Sequence, residues 1–374
     1  MTEHILFVVN KFPPFTGGLE QHVFELARHL ASQGTRCTVV TLSLVASDTV
    51  EHGIRVIRLP QWGNIGDVIS FPRTGIKNLL SRFIREEKVT SISVHTRFFP
   101  MTWAGVAAGL KTKVPVILTE HGSSHVRGAS PLVRIASWLV DKTVGRWSLR
   151  MATTRLAVSS ESARFVQRLA GKSADVFLNA INLDFWRVAS AEKPQRFVFV
   201  GRIVPDKGWD ESVRAFEIFQ LRNPSSEYEL HIAGDGPEFE RLAGQVDASQ
   251  AKEKIFVHGR QSHEQVRFLL KGQWLINPTT LAEGFQTTLI EAAVCNAGII
   301  SYEVPGLNEL SNSGATILRA SSFENLSAQM EACLKIVPSS LSEASAENWG
   351  WGVRAKQYLE KVKMASCPWD PRNP

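Results

Sequence analysis

Short apolar runs alternate along the chain with stretches of helical periodicity, and that alternation predicts the elements. Residues 5–10 read as a strand covered on both faces, apolar from Ile5 to Val9 with no polar alternate before Asn10. A loop at 11–18 leads into 20–33, where Val23, Leu26, Ala27 and Leu30 fall on one helical face. Further strands are expected at 37–42, 54–59, 91–95 and 114–119, with a helix at 77–87. A second series opens at Arg196: strand 197–200, helix 209–220, strand 229–233, helix 238–245, strand 255–258, helix 263–271 and strand 274–278. Such alternation implies α/β architecture, with parallel sheets covered by helices on both faces. The expected division is a domain at 1–185, a domain at 186–348, and a helix and tail at 349–374 lying at an interdomain seam.

The length of 374 residues supports two domains, since single cores stop growing at about 250–300 residues. A chain 44% hydrophobic and 21% charged excludes disorder, collagen and coiled coil. Cys37, Cys295, Cys333 and Cys367 stand far apart with no metal-ligand or disulfide spacing, which points to a reducing cytoplasm. The first apolar run is too short for a signal peptide and is preceded by Glu3, and no run approaches the ~20 residues of a membrane span.

Charge changes this picture. The net +6 divides into +10 up to Ser190 and −4 beyond it. Arg127, Arg134, Lys142, Arg146, Arg150, Arg155, Arg164, Arg168 and Lys172 face only Asp141 and Glu161 in their stretch. Anionic lipid or a phosphorylated acceptor would account for this, and no nucleic-acid motif accompanies it.

Ligands of open parallel sheets bind beyond the carboxyl ends of the strands, so the loops after strands are where chemistry is expected, in a cleft between the two domains. Thr16-Gly17-Gly18 could bring backbone N–H groups to a diphosphate at a helix start, though a plain tight turn explains these residues equally well. The absence of a GxGxxG pattern argues against a dinucleotide dehydrogenase. In Gly201-Arg202-Ile203-Val204-Pro205-Asp206-Lys207-Gly208, an arginine fork and a lysine charge follow a strand end, a combination suited to a departing nucleotide diphosphate. In the segment from Glu283 to Glu291, Glu283 could accept from sugar hydroxyls. Glu291, expected two turns into the next helix, could accept from ribose, with the N–H groups of Gly284, Phe285, Gln286 and Thr287 at the helix start facing phosphate.

These residues together resemble the retaining glycosyltransferases of glycosyltransferase family 4, which have the GT-B fold: two Rossmann-like doubly wound domains facing each other across a cleft. Gly17-Gly18-Leu19-Glu20 resembles the family's opening glycine loop and Glu120-His121-Gly122 its histidine motif. Gly201-Arg202 with Lys207-Gly208 matches its diphosphate pair, Gly234-Asp235-Gly236-Pro237 a structural turn, and Glu283 to Glu291 its two-glutamate signature. The resemblance implies an acceptor-side N-terminal domain and a nucleotide-sugar-binding C-terminal domain. It implies that Arg202 and Lys207 bind the diphosphate, Glu283 the donor sugar and Glu291 the ribose. His121 would lie near the reacting carbon, backbone at Gly259 and Arg260 would receive the base, and Gly17, Gly18, Gly284, Phe285, Gln286, Thr287 and Leu289 would complete the donor site. Gln286 and Pro305-Gly306 depart from the family's glycines where they would border the donor sugar.

The implied reaction transfers a sugar, with retention, from a nucleotide diphosphate sugar, UDP being the commonest carrier in the family. Arg202, Lys207 and a helix start would meet the leaving charge, so no metal is expected, and no Asp-x-Asp pair is present. Between Pro131 and Arg150, Leu132, Val133, Ile135, Trp138, Leu139 and Trp147 alternate with Arg134, Lys142, Arg146 and Arg150, the make-up of an interfacial helix. An ordinary core-facing helix with a solvated basic face explains the pattern equally well; the interfacial reading makes the acceptor a lipid-linked or cell-envelope glycan and the enzyme peripheral on the cytoplasmic face of an anionic membrane. The rivals are a nucleotide-sugar epimerase of the same fold and a non-catalytic carbohydrate-binding protein.

Overall fold

A computed structural model describes residues 3–15, 17–65, 69–125, 131–188, 193–281 and 283–366. The chain forms two compact units, one of residues 1–180, 282–285 and 351–374, the other of 181–281 and 286–350. The expected tail from Cys367 onward and Thr16 lie outside the described residues.

The first unit runs β1 (His4–Val8), α1 (Gly18–Ser32), β2 (Arg36–Ser43), β3 (Ser47–Glu51), β4 (Ile54–Ile65), β5 (Ile69–Pro72), α2 (Ile76–Glu86), β6 (Ser91–His95), α3 (Pro100–Thr112) and β7 (Val116–Glu120). It continues through α4 (Pro131–Val140), a π-helical turn (Asp141–Gly145), α5 (Arg146–Met151), β8 (Thr154–Ala157), α6 (Ser160–Ala170) and β9 (Asp175–Val176). The strand order is β3-β4-β2-β1-β6-β7-β8-β9, with β5 beside β4. From β4 to β9 the pairing is parallel. The continuous apolar run of β1 follows from burial on both faces. Ile5, Phe7 and Val9 join one core layer with Val23, Leu26 and Leu30 of α1, while Leu6 and Val8 join another with Leu80 and Met101.

The expectation of a wholly parallel sheet needs correction, because β3 and β5 both pair antiparallel to β4. Their sequences, SDTVE and ISFP, are short and half exposed, so they carry little hydrophobic alternation to signal a strand. The single amphipathic helix expected over 131–150 is also not what forms. The π turn inserts an extra residue that rotates the faces on either side of it, so Ser148 and Leu149 are buried and Trp147 packs against the core.

The second unit holds α7 (Leu183–Trp186), β10 (Arg196–Val200), α8 (Trp209–Arg222), β11 (Glu229–Ala233), α9 (Phe239–Asp247), β12 (Ile255–Gly259), α10 (His263–Leu270), β13 (Trp274–Asn277), α11 (Thr287–Val294), β14 (Gly298–Ser301), α12 (Leu307–Asn312), β15 (Ile317–Arg319), α13 (Phe323–Cys333) and α14 (Glu343–Glu347). Its six strands are all parallel, in the order β12-β11-β10-β13-β14-β15.

The last helix, α15 (Trp351–Ser366), returns to the first unit. Trp351, Ala355, Tyr358 and Val362 recur at helical spacing and are buried in the same layer as α1. Each of the larger three contributes roughly 1.5–3 kcal/mol by the scale for burying a whole apolar side chain.

Candidate functional site

In both units the strand order reverses beside the first strand, between β1 and β6 and again between β10 and β13. At such a switch point the connections leave in opposite directions, and a crevice opens past the carboxyl ends of the two strands. The loops that line each crevice are therefore determined by topology.

In the second unit these loops are 201–208 after β10 and 278–281 after β13, and they are tied together. The Asp206 carbonyl accepts from the Thr280 amide at 2.9 Å and from Thr279 Oγ1 at 3.1 Å. Gly208 has φ +90°, and a Cβ there would lie 2.5 Å from the Pro278 carbonyl oxygen, so no other residue fits. The Gly234-Asp235-Gly236-Pro237 turn is structural, its Asp235 carbonyl accepting from the Ile203 amide at 3.0 Å. On this held loop Lys207 is buried and Arg202 exposed. Gly259 ends β12 with φ +68° and accepts from the Gly234 amide at 2.8 Å, with Arg260 exposed beside it.

The two-glutamate segment departs from expectation. α11 begins only at Thr287, with Gln286 extended at its N-cap, so Glu291 lies one turn into the helix and not two. The Leu289 side chain is fully buried and packs in the core of the second unit. Burial pushes the Glu291 carboxyl up to about 7, partly offset by a hydrogen bond from Thr287. Glu283, Gly284 and Phe285 are not part of that helix start at all and belong to the first unit. Ser123 Oγ donates to the Glu283 carbonyl at 2.5 Å, and Asn179 Nδ2 donates to the Phe285 carbonyl at 2.6 Å. A Cβ on Gly284 would lie 2.1 Å from the His121 carbonyl oxygen. The signature contiguous in sequence thus serves two places, Glu283 beside the His121 loop and Gln286 to Glu291 at the start of α11 in the second unit.

In the first unit His121 follows β7 directly, and His95 ends β6. His95 Nδ1 lies 3.0 Å from His121 Nε2, and the His22 ring of α1 stands edge-on to His121 at 4.7 Å between centroids. Burial lowers all three imidazoles, His22 to about 4 and His95 and His121 well below the ordinary histidine range; the Arg354 charge adds to it at His22, and the neighbouring histidines add to it at His95 and His121. The three rings offer nitrogens within 4.8 Å of one another, a spacing a metal ion could also bridge.

The sequence reading missed what holds this loop. Arg97, Glu120 and Asp141 are buried almost completely. Arg97 Nη1 donates to Glu120 Oε1 at 2.7 Å, and its Nε and Nη2 bind the two Asp141 oxygens at 2.8 Å each. Burial works against the charged guanidinium, but the two carboxylates more than offset it and raise its pKa. Glu120 also accepts from the Gly122 amide at 2.8 Å, and His125 Nδ1 donates to Asp141 Oδ2 at 2.5 Å. Removing one member of such a buried set costs on the order of 3–5 kcal/mol, so the network fixes the turn that presents His121. The π turn is what aims Asp141 inward. The signal available beforehand was Asp141 as one of only two acids in a basic stretch.

The opening glycines fare differently. Gly17 is the extended N-cap of α1, and the Glu20 carboxylate lies 2.3 Å from where its Cβ would be. A carboxylate, held up in pKa by burial, therefore covers Gly17, while Gly18 borders open space. Asn10, in the loop after β1, has both amide atoms buried with no partner among the described residues. An orphaned buried amide costs about 1–3 kcal/mol, which makes Asn10 a candidate ligand contact that the sequence did not mark.

Two doubly wound units in tandem, each with polar groups gathered at its switch point, define a two-domain Rossmann-like α/β class. A profile described as Glycosyltransferase Family 4 matches residues 16–185, and one described as Glycosyl transferases group 1 matches 181–347. The chain belongs to glycosyltransferase family 4 and has the GT-B fold. It is 23% identical over 344 residues to a phosphatidylinositol N-acetylglucosaminyltransferase chain from Arabidopsis thaliana, covering 89% of this chain and 75% of the relative. Identity is 22% to the 2-deoxystreptamine N-acetyl-D-glucosaminyltransferase of Niallia circulans, over 81% of this chain and 84% of that one. Among solved structures, Anabaena HepE in complex with UDP superposes with a TM-score of 0.76 at 14% identity, covering 96% of this chain and 100% of its own.

Proposed function

We propose that this glycosyltransferase takes a sugar from a UDP-sugar and adds it, with retention and without a metal ion, to a lipid-linked or cell-envelope glycan. The observation that carries the reading is the loop 201–208, locked by Asp206 and Gly208 to the loop after β13, with Lys207 and Arg202 at the switch point of the second sheet. Two cations and the N-terminus of α11 suit a leaving diphosphate, and stabilising that charge in a preorganised site is commonly the largest catalytic contribution. Glu291 suits ribose hydroxyls, and Glu283 and His121, which share one unit, suit the sugar. Retention here uses no pair of carboxylates across the anomeric carbon, so the carboxylate-distance rule of glycosidases does not apply. UDP bound to HepE supports the uridine carrier, and the names of the two relatives make UDP-N-acetylglucosamine the first donor to try.

The acceptor reading rests on α4. Leu132, Val133, Ile135, Trp138 and Leu139 are all exposed there, and so are Arg134 and Lys142. Five exposed large apolar side chains on a helix of ten residues form a surface that water does not favour and an anionic membrane interface does. Among the described residues no helix is long and apolar enough to cross a membrane, so the proposed attachment is peripheral.

The test is release of UDP from a panel of UDP-sugars with lipid extract as acceptor, with and without EDTA. Acceptor-dependent turnover insensitive to EDTA is expected, with Lys207→Ala and Glu283→Gln each reduced by on the order of 100-fold or more. Conversion of donor without acceptor would favour the epimerase, and strict dependence on magnesium or manganese would overturn the metal-free part.

A further inference from the structure

Tyr358 of α15 is fully buried and donates to Ser93 Oγ at 2.6 Å. Ser93 Oγ lies 3.1 Å from His95 Nε2, and His95 Nδ1 lies 3.0 Å from His121 Nε2. Four side chains from α15, β6 and the turn after β7 therefore form one unbroken chain. Such a chain has two uniform polarities, and a mixed arrangement with Ser93 accepting from both Tyr358 and His95 would leave the serine hydrogen without an acceptor among the described residues. If protons run from His121 toward Tyr358, the phenolic hydrogen is left in a packed layer beside Phe7 and Phe177 with no acceptor among the described residues. If they run from Tyr358 toward His121, every hydrogen in the chain has an acceptor, so burial selects this direction. Ser93 then donates to His95 Nε2, His95 carries its proton on Nδ1, and His121 Nε2 is an acceptor.

We propose that Tyr358, Ser93 and His95 are positioning residues that hold His121 in its Nδ1–H tautomer, presenting a neutral hydrogen-bond donor to an oxygen of the donor sugar. The inference deepens the functional reading above and rests on it for the sugar. In water a neutral imidazole prefers its proton on Nε2, so the relay selects the less common form. Burial keeps His95 and His121 uncharged, which makes the tautomer, and not protonation, the quantity the fold controls. His22 is set the same way. Its Nδ1 lies 3.1 Å from Asn179 Oδ1, and since Asn179 Nδ2 is spent on the Phe285 carbonyl, His22 must donate and its Nε2 is left bare. A metal ion on the three rings would instead take the His95 and His121 nitrogens that this relay uses on each other.

The tautomers can be read directly in the unliganded full-length protein by long-range proton–nitrogen correlation spectra with labelled histidine, assigned through His121→Gln and His95→Asn. Wild type is expected to show His121 protonated at Nδ1 and bare at Nε2. His95→Leu should return His121 to the Nε2–H form and lower kcat by on the order of 100-fold with the donor KM little changed. His95→Asn, whose amide can donate from the place of Nδ1, should restore both. Should His95→Leu fail to fold, Ser93→Ala removes the proton His95 accepts and should raise the Nε2–H population at His121. Protonation of His121 at Nε2 in wild type, or a tautomer unchanged in every variant, overturns the relay. So does a stoichiometric metal ion whose removal by chelator shifts all three rings. Because the spectra need no substrate, a protein with the expected tautomer and no transferase activity would count against the functional reading alone.

Discussion

At the scale of single residues, burial moves a carboxyl's titration away from its ordinary range. Glu291 is the clearest case. Its place in a two-glutamate pattern is legible in the sequence, while its pKa of about 7 comes from being packed into the second unit. If its carboxylate receives ribose hydroxyls, only the ionised form binds well. Between pH 6 and pH 8 that form rises about tenfold in population for a group titrating near 7, so nucleotide affinity should strengthen by up to about tenfold as pH rises. Titration calorimetry with UDP compares wild type with Glu291→Gln, which cancels ionisation of the phosphate. A pH dependence identical in the two proteins would remove Glu291 from the ribose site. The pairing of Asp141 with Arg97 was not legible, because its partner is 44 residues away and only the folded sheet brings them together.

Among the elements, strong apolar periodicity translated well. β6 and β11 occupy the residues expected of them, and β10, α8 and β12 do so within about two residues at their ends. Weak or interrupted patterns did not translate, as β3, β5 and the π turn after α4 show. The same interruption redefines the proposed membrane surface, since Trp147 packs against the core and the exposed large apolar residues of 131–150 all lie on α4. Sedimentation of the protein should therefore increase with the anionic lipid content of vesicles and fall with salt. Neutralising Arg134 and Lys142 together should weaken it, and so should Leu132→Ser with Trp138→Ser, whereas Arg150→Gln should matter less. Equal and negligible recovery on neutral and anionic vesicles at low salt would leave a soluble acceptor as the better reading.

For the whole molecule, buried histidines tie stability to pH. His22, His95 and His121 have folded pKa values below the ordinary 6.5. Below that pH the unfolded chain takes up protons that the folded rings refuse, so stability present above 6.5 is lost as pH falls toward the folded values. His22 alone, from 6.5 to about 4, accounts for about 3 kcal/mol over that window. Glu291 acts in the opposite sense, its raised pKa costing stability as pH rises from 4.5 to about 7. The lowered imidazoles, His4, His231 and His258 together with these three, outnumber the raised carboxyls of Glu20 and Glu291, so the urea midpoint should fall from pH 7 to pH 5, with a smaller fall in His22→Phe. A midpoint flat across that range would show that the rings are not buried in solution as described. Two α/β units, nine of their strands and the 201–208 loop were legible in the sequence alone, because continuous apolar runs, helical periodicity and a Gly-Arg-Lys-Gly loop are local patterns. The tertiary structure alone decided the division of the Glu283–Glu291 segment between two units, the Arg97 network beneath His121 and the direction of protons from Tyr358, since each depends on which distant groups are buried together.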